Sequence, residues 1–140
     1  MKRIWPIIAV NDVRASSAWY QTLLGCANNH YDSADFDQIL DADGTILLCL
    51  HRWDDDQHPS LMTSQPGAPG KGLLLFFCVD DFEAATARAR SLVAQLDEEP
   101  HLNPNTRALE FSLRDPDGYF VTVSAFGADP TGGPSAGKAG

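Results

Sequence analysis

Basic residues are scarce in this chain: ten Lys plus Arg stand against nineteen Asp plus Glu in 140 residues, a formal charge of -9. A surface that neutralises phosphates needs the opposite balance, so nucleic acid is excluded as a partner. Cysteine is sparse as well. Cys26, Cys49 and Cys78 are odd in number, sit in apolar contexts and lack C-x-x-C spacing, which argues for reduced core thiols rather than a disulfide framework. No apolar run approaches the ~20 residues of a membrane span. Met1-Lys2-Arg3 leads straight into strand-like sequence rather than the apolar stretch of a signal peptide. The expectation is a cytoplasmic protein with no membrane partner.

What the chain does have is apolar residues, 44% of the total, enough for one compact domain with a true core over residues 1–126. Ile4 to Val10 read as a buried strand, with Pro6 tolerated near its start. Asn11 and Asp12 then change the period: from Val13 to Leu24 apolar positions recur at helical spacing, with Asp12 as cap and Gly25 as stop. Cys26 to Tyr31, Phe36 to Leu40 and Thr45 to Trp53 read as three strands, the last two joined by Asp41-Ala42-Asp43-Gly44.

Residues 54–71, rich in Pro and Gly, read as a linker between module 4–53 and module 72–126. Leu73 to Val79 is an apolar strand. Asp80 with Glu83 three residues on resembles a capping box, and Phe82, Ala85, Ala89, Leu92 and Leu96 share one helical face. His101 to Leu102, Arg107 to Arg114 and Tyr119 to Phe126 complete the strands, the last two joined by Asp115-Pro116-Asp117-Gly118. Residues 127–140 read as a flexible tail.

Both halves are therefore βαβββ, an internal repeat. Val10-Asn11-Asp12-Val13 answers to Val79-Asp80-Asp81-Phe82, and the turn ending at Gly44 answers to the one ending at Gly118. The expected fold class is α+β: two βαβββ modules forming a curved mixed sheet, helices on the convex face and a concave face left to hold something.

With this plan, with Val10-Asn11-Asp12 followed by Ala18-Trp19-Tyr20 and Leu24-Gly25, and with Asp115-Pro116-Asp117-Gly118-Tyr119, the chain resembles the vicinal oxygen chelate superfamily over about residues 4–126. That group includes glyoxalase I, bleomycin resistance proteins, extradiol dioxygenases and fosfomycin resistance enzymes. The resemblance implies the glyoxalase/bleomycin resistance fold, and a homodimer, since small members commonly pair. It also implies a divalent metal held by His, Gln or Glu from four strands. Counted from the motifs, those four positions are Trp5, Leu48, Leu74 and Thr122. An indole, two leucines and a neutral hydroxyl make no transition-metal site, and Ile4, Leu47, Leu73, Leu75 and Val121 one residue away are no better. The chain departs here from the metal-dependent pattern, and no metal or other cofactor is expected.

Other donors give no motif. His30, His51, His58 and His101 are too widely spaced for a ligand pair, and Asp54-Asp55-Asp56 with His58 lacks the spacing of a calcium loop. No Ser or Cys sits at a nucleophile elbow. Cys78 is read as a small hydrophobe, with a nucleophile as the alternative.

Strand alternation puts Ile7 on the face of Trp5, Ile46, Leu50 and Arg52 on that of Leu48, Phe76 and Cys78 on that of Leu74, and Phe120 and Ser124 on that of Thr122. An aromatic, apolar wall of this kind is either plain core or a stacking site, and Trp5 favours the second. Between Asp32 and Asp56, eight carboxylates face one base, a net of seven negative charges in 25 residues. Taken alone these are turn residues and a solvated face; beside a pocket they favour a cationic ligand.

The function expected is that of the bleomycin resistance branch: a metal-free homodimer that sequesters a planar, cationic antibiotic or metabolite. Trp5, Phe76 and Phe120 stack on it, Ile7, Leu48, Leu50 and Leu74 line the wall, Thr122 and His51 orient it, and Asp35 and Asp37 draw it in. The alternatives are a lyase or isomerase of the same fold, either with a non-standard metal site or with His51 and Glu110 as acid and base, and a partner-binding module using the linker and the acidic loop.

Overall fold

Each half turns from strand to helix at an aspartate. A computed structural model, in which residues 3–29, 33–54, 61 and 73–126 are described, shows how the two corners are built. In the first half β1 (Ile7–Val10) runs into α1 (Val13–Leu24). Asp12 caps α1 by accepting from the Ala15 amide at 3.0 Å, and Gly25 ends it in the left-handed conformation at φ 63°. β2 (Ala27–Asn28), β3 (Phe36–Leu40) and β4 (Ile46–Arg52) follow. In the second half β5 (Leu75–Val79) leads to α2 (Phe82–Leu92), then β6 (Glu98–Leu102), β7 (Leu109–Arg114) and β8 (Phe120–Ala125). The α2 cap is Asp81, which accepts from the Ala84 amide at 3.0 Å; Asp80, expected in that role, lies one residue outside it.

The strands form two four-stranded mixed sheets of the same topology, β1-β4-β3-β2 and β5-β8-β7-β6. In each, the first and last strands of the half pair in parallel and the other pairs are antiparallel. The chain divides into two compact units, Met1–Pro69 and Gly70–Gly140. The hairpin turns repeat as well: Gly44 and Gly118 donate their amides to Asp41 and Asp115 at 2.9 and 3.0 Å. Their φ angles of 87° and 91° are the conformation that glycine adopts without strain.

Helix contact decides which face of each sheet becomes core. The Ser17 hydroxyl on α1 donates to Asp37 on β3 at 2.6 Å, so Asp37 and its same-face neighbours Ile39, Leu48 and Leu50 lie under the helix. On α2, Phe82 meets Phe111 of β7 with ring centroids 5.5 Å apart, so Phe111, Leu113, Val121 and Val123 form the second helix-facing layer. All seven of those apolar sheet residues are fully buried. No described helix is long and apolar enough to cross a membrane. Most of the linker, residues 55–60 and 62–72, and the tail, residues 127–140, lie outside the described residues.

Candidate functional site

With one face of each sheet under a helix, the opposite face is where the fold can present chemistry. In the first sheet the pairings Ile7↔Cys49, Ala9↔His51, Phe36↔His51 and Gln38↔Cys49 put Ile7, Ala9, Phe36, Gln38, Cys49 and His51 together on that face. Leu48 and Leu50 do not join them. One extra residue, Leu47, enters β4 between the pairs Leu40↔Ile46 and Ile39↔Leu48, and this bulge reverses the parity expected from counting out of the turn. Leu48 and Leu50 are therefore helix-facing core.

The two expected cation-attracting acids are also committed elsewhere. Asp35 is bound to the Arg52 guanidinium at 2.7 Å, and Asp37, 5% exposed, accepts from Ser17 at 2.6 Å and Asn28 at 2.8 Å beneath α1. His51 is buried, with Nδ1 2.8 Å from the Arg52 carbonyl and its ring edge towards Phe36 at 6.1 Å. Trp5 precedes β1 and is 53% exposed. It lines a hollow of about 500 Å³ with Arg3, Ile4, Asp43, Gly44, Thr45 and Ile46. Bonds from Thr45 to Asp43 hold that carboxyl below the usual range.

The second sheet presents a more polar face. Reading across the four strands, Phe76, Thr122, Ser112 and Glu98 form one row, and Cys78, Ser124, Glu110 and His101 the next. Hydroxyls link the first row: Ser112 donates to Glu98 at 2.6 Å and lies 2.9 Å from the Thr122 hydroxyl. In the second row Asn103 donates to Glu110 at 2.8 Å, and His101 Nε2 lies 3.6 Å from the other Glu110 oxygen. Phe120 shares the face, but the Arg114 guanidinium sits over its ring at 4.7 Å, which covers one stacking surface. Leu74 precedes β5 and is half exposed. His30, His58, Asp32, Asp55 and Asp56 lie outside the described residues.

Glu98 is the site residue the sequence did not reveal. β6 carries three steps, Glu98 to His101, against two on β7, Ser112 to Glu110, and this irregularity turns both side chains to one face. Pro100 within the bulge is an edge-strand feature that signals such a break. Glu110 and Ser112 were legible from alternation with Phe111 and Leu113.

The sheet register also revises the four positions that the resemblance implied for metal ligands. Thr122 pairs with Phe76, and the repeat counterpart of Phe76 is Ile7, which pairs with Cys49. The counterpart of Thr122 is thus Cys49, not Leu48. At these positions the first unit offers Trp5 and Cys49 and the second Leu74 and Thr122, and Cys49 is the one good donor among them. Burial pushes the Cys49 thiol up. Desolvation also pushes up the thiol of Cys78.

Comparison with known proteins places the chain in a family. The model of the Glyoxalase/Bleomycin resistance protein/Dioxygenase superfamily matches residues 4–123. A solved protein of unknown function from Agrobacterium tumefaciens str. C58 is 25% identical, with a TM-score of 0.68 over 89% of this chain and 94% of its own. A glyoxalase/bleomycin resistance protein from Catenulispora acidiphila is 18% identical, TM-score 0.59, covering 89% and 98%. TioX from Micromonospora sp. ML1 is 15% identical, TM-score 0.67, again covering 89% and 98%. Among curated proteins none matches.

Proposed function

Because the chain belongs to the Glyoxalase/Bleomycin resistance protein/Dioxygenase superfamily, we propose that it is a metal-free small-molecule binder of that group. It sequesters a planar, cationic antibiotic or metabolite without transforming it. The observation that carries this reading is that the positions the resemblance implies for metal ligands hold Trp5 and Cys49 in the first unit and Leu74 and Thr122 in the second, with Cys49 the one strong donor among them.

Further support comes from an exposed aromatic residue in each unit. Trp5 and Phe76 are 53% and 43% exposed, a large apolar area to leave in water unless something covers it. In the second unit Thr122 and Ser112 supply the few polar groups that fix an orientation. Affinity arises chiefly from aromatic burial, with charge selecting the ligand.

The test is a nuclear magnetic resonance titration of the isotope-labelled full chain with naphthyl-butylamine, a planar group carrying an amine. Saturable shifts are expected at Phe76, Ser112 and Thr122, and the compound is recovered chemically unchanged. Shifts confined to the solvent side of α1 or α2, or conversion of the compound, contradict the proposal.

A further inference from the structure

The hollow beside Trp5 is built by two segments of the first unit. β1 pairs in parallel with β4 in the register Ile7↔Cys49, and the Cys49 amide donates to the Pro6 carbonyl at 2.8 Å. Carried back towards the N-terminus, this pairing lays residues 3–5 along the start of β4 and the turn before it. The hollow between them, about 500 Å³, is of the size that holds a small molecule. Gly44 leaves its turn side open: a side chain built there would meet nothing within 4 Å.

Recognition groups on both sides of the hollow are unspent. Among the described residues the Arg3 guanidinium makes no hydrogen bond or ion pair, and the Trp5 indole N–H has no acceptor. Opposite them stands the Asp43 carboxylate, which bonds from the Thr45 hydroxyl and amide hold below the usual range, so that it is charged at neutral pH. Arg3 acts on Asp43 through space only, as the smallest of the influences on that carboxyl, and no ion pair joins the two.

Two opposite charges left apart in one hollow select against a ligand with a single charge. A plain anion at Arg3 meets the Asp43 carboxylate and a chain of net charge -9, and a plain cation at Asp43 meets the Arg3 guanidinium. A molecule carrying both charges is attracted at both ends. Its apolar part has the half-exposed indole and the side chains of Ile4 and Ile46 to pack on, a surface suited to a flat ring.

We infer that this hollow is a binding site for a zwitterion bearing an aromatic ring, the class of the free aromatic amino acids. The carboxylate pairs with Arg3, the ammonium with Asp43, and the ring packs on Trp5. The site lies within the first unit and goes beyond the binding reading above, whose test is read at Phe76, Ser112 and Thr122 of the second.

The experiment titrates the isotope-labelled full chain with phenylalanine, with phenethylamine, which lacks its carboxylate, and with 3-phenylpropionate, which lacks its ammonium. Saturable shifts are expected at the Trp5 indole N–H and the Gly44 and Thr45 amides, with phenylalanine about fivefold tighter than either relative. Arg3→Gln brings phenylalanine to within about twofold of phenethylamine, Asp43→Asn brings it to within about twofold of 3-phenylpropionate, and Trp5→Ala weakens all three. Arg3, Trp5 and Asp43 are exposed, so the variants keep the fold, and asparagine at position 43 still offers an oxygen to the Thr45 amide. Equal binding of the three compounds overturns the inference, as does a preference for phenylalanine that survives both charge substitutions. Shifts confined to the second unit, or no saturable binding of phenylalanine, overturn it as well and leave the binding reading to its own titration.

Discussion

Phe111→Ala is expected to lower unfolding free energy by about 4 kcal/mol. Phe111 is fully buried in the helix-facing layer of the second sheet, and its ring packs against Phe82 at the start of α2 with an interplanar angle of 60°. Truncation removes the transfer free energy of the ring, leaves a cavity beneath α2, and deletes an aromatic pair worth about 1 kcal/mol beyond its area. The small side chains of Ala85 and Ala89 on the same helix cannot extend to fill that space. Phe111→Leu, which keeps most of the volume, is expected to cost about 1 kcal/mol. Urea denaturation followed by circular dichroism measures both. A loss below about 1 kcal/mol for the alanine variant contradicts the packing of α2 on β7.

Asp37→Ala is expected to cost about 3 kcal/mol and to leave ligand affinity unchanged where the variant is folded. The Asp37 carboxylate joins three elements: Ser17 of α1 and Asn28 of β2 both donate to Oδ2, and the Gln38 amide donates to Oδ1 at 2.8 Å. Gln21 extends the network by donating to the Ser17 oxygen at 2.9 Å. Alanine strands the Ser17 hydroxyl, only 3% exposed, without its charged acceptor. Thermal denaturation gives the stability change, and the naphthyl-butylamine titration gives the affinity. Lost affinity in a folded Asp37→Ala protein contradicts the assignment of Asp37 to the scaffold.

Asp37 also marks the boundary of what the sequence discloses. Composition places it in an acidic stretch, but only the Ser17 contact shows that it lies beneath a helix. Local chemistry was fully legible where a single residue decides a conformation. Asp12 and Gly25 bound α1 at Val13 and Leu24 as expected, and the two Asp-Gly turns repeat with matching hydrogen bonds. The βαβββ repeat and the family followed from these signals together.

Side-chain facing was less legible, because strand parity is inherited from every residue before it. One added residue at Leu47 moves Leu48 and Leu50 into the core and places Cys49 opposite Ile7. The bulge in β6 has the reverse benefit, bringing Glu98 and His101 to one face although they are three residues apart. At the α2 cap, two adjacent aspartates offered the same chemistry, and the chain uses Asp81. At the positions the resemblance implies for metal ligands, the change of register replaces Leu48 with Cys49, one buried thiol.

The most direct test of the central claim is the affinity of the full chain for naphthyl-butylamine before and after exhaustive chelation. An account in which the ligand is held without a metal predicts dissociation constants that agree within about twofold. A fall of about tenfold or more on chelation, restored by adding back zinc or manganese, contradicts it.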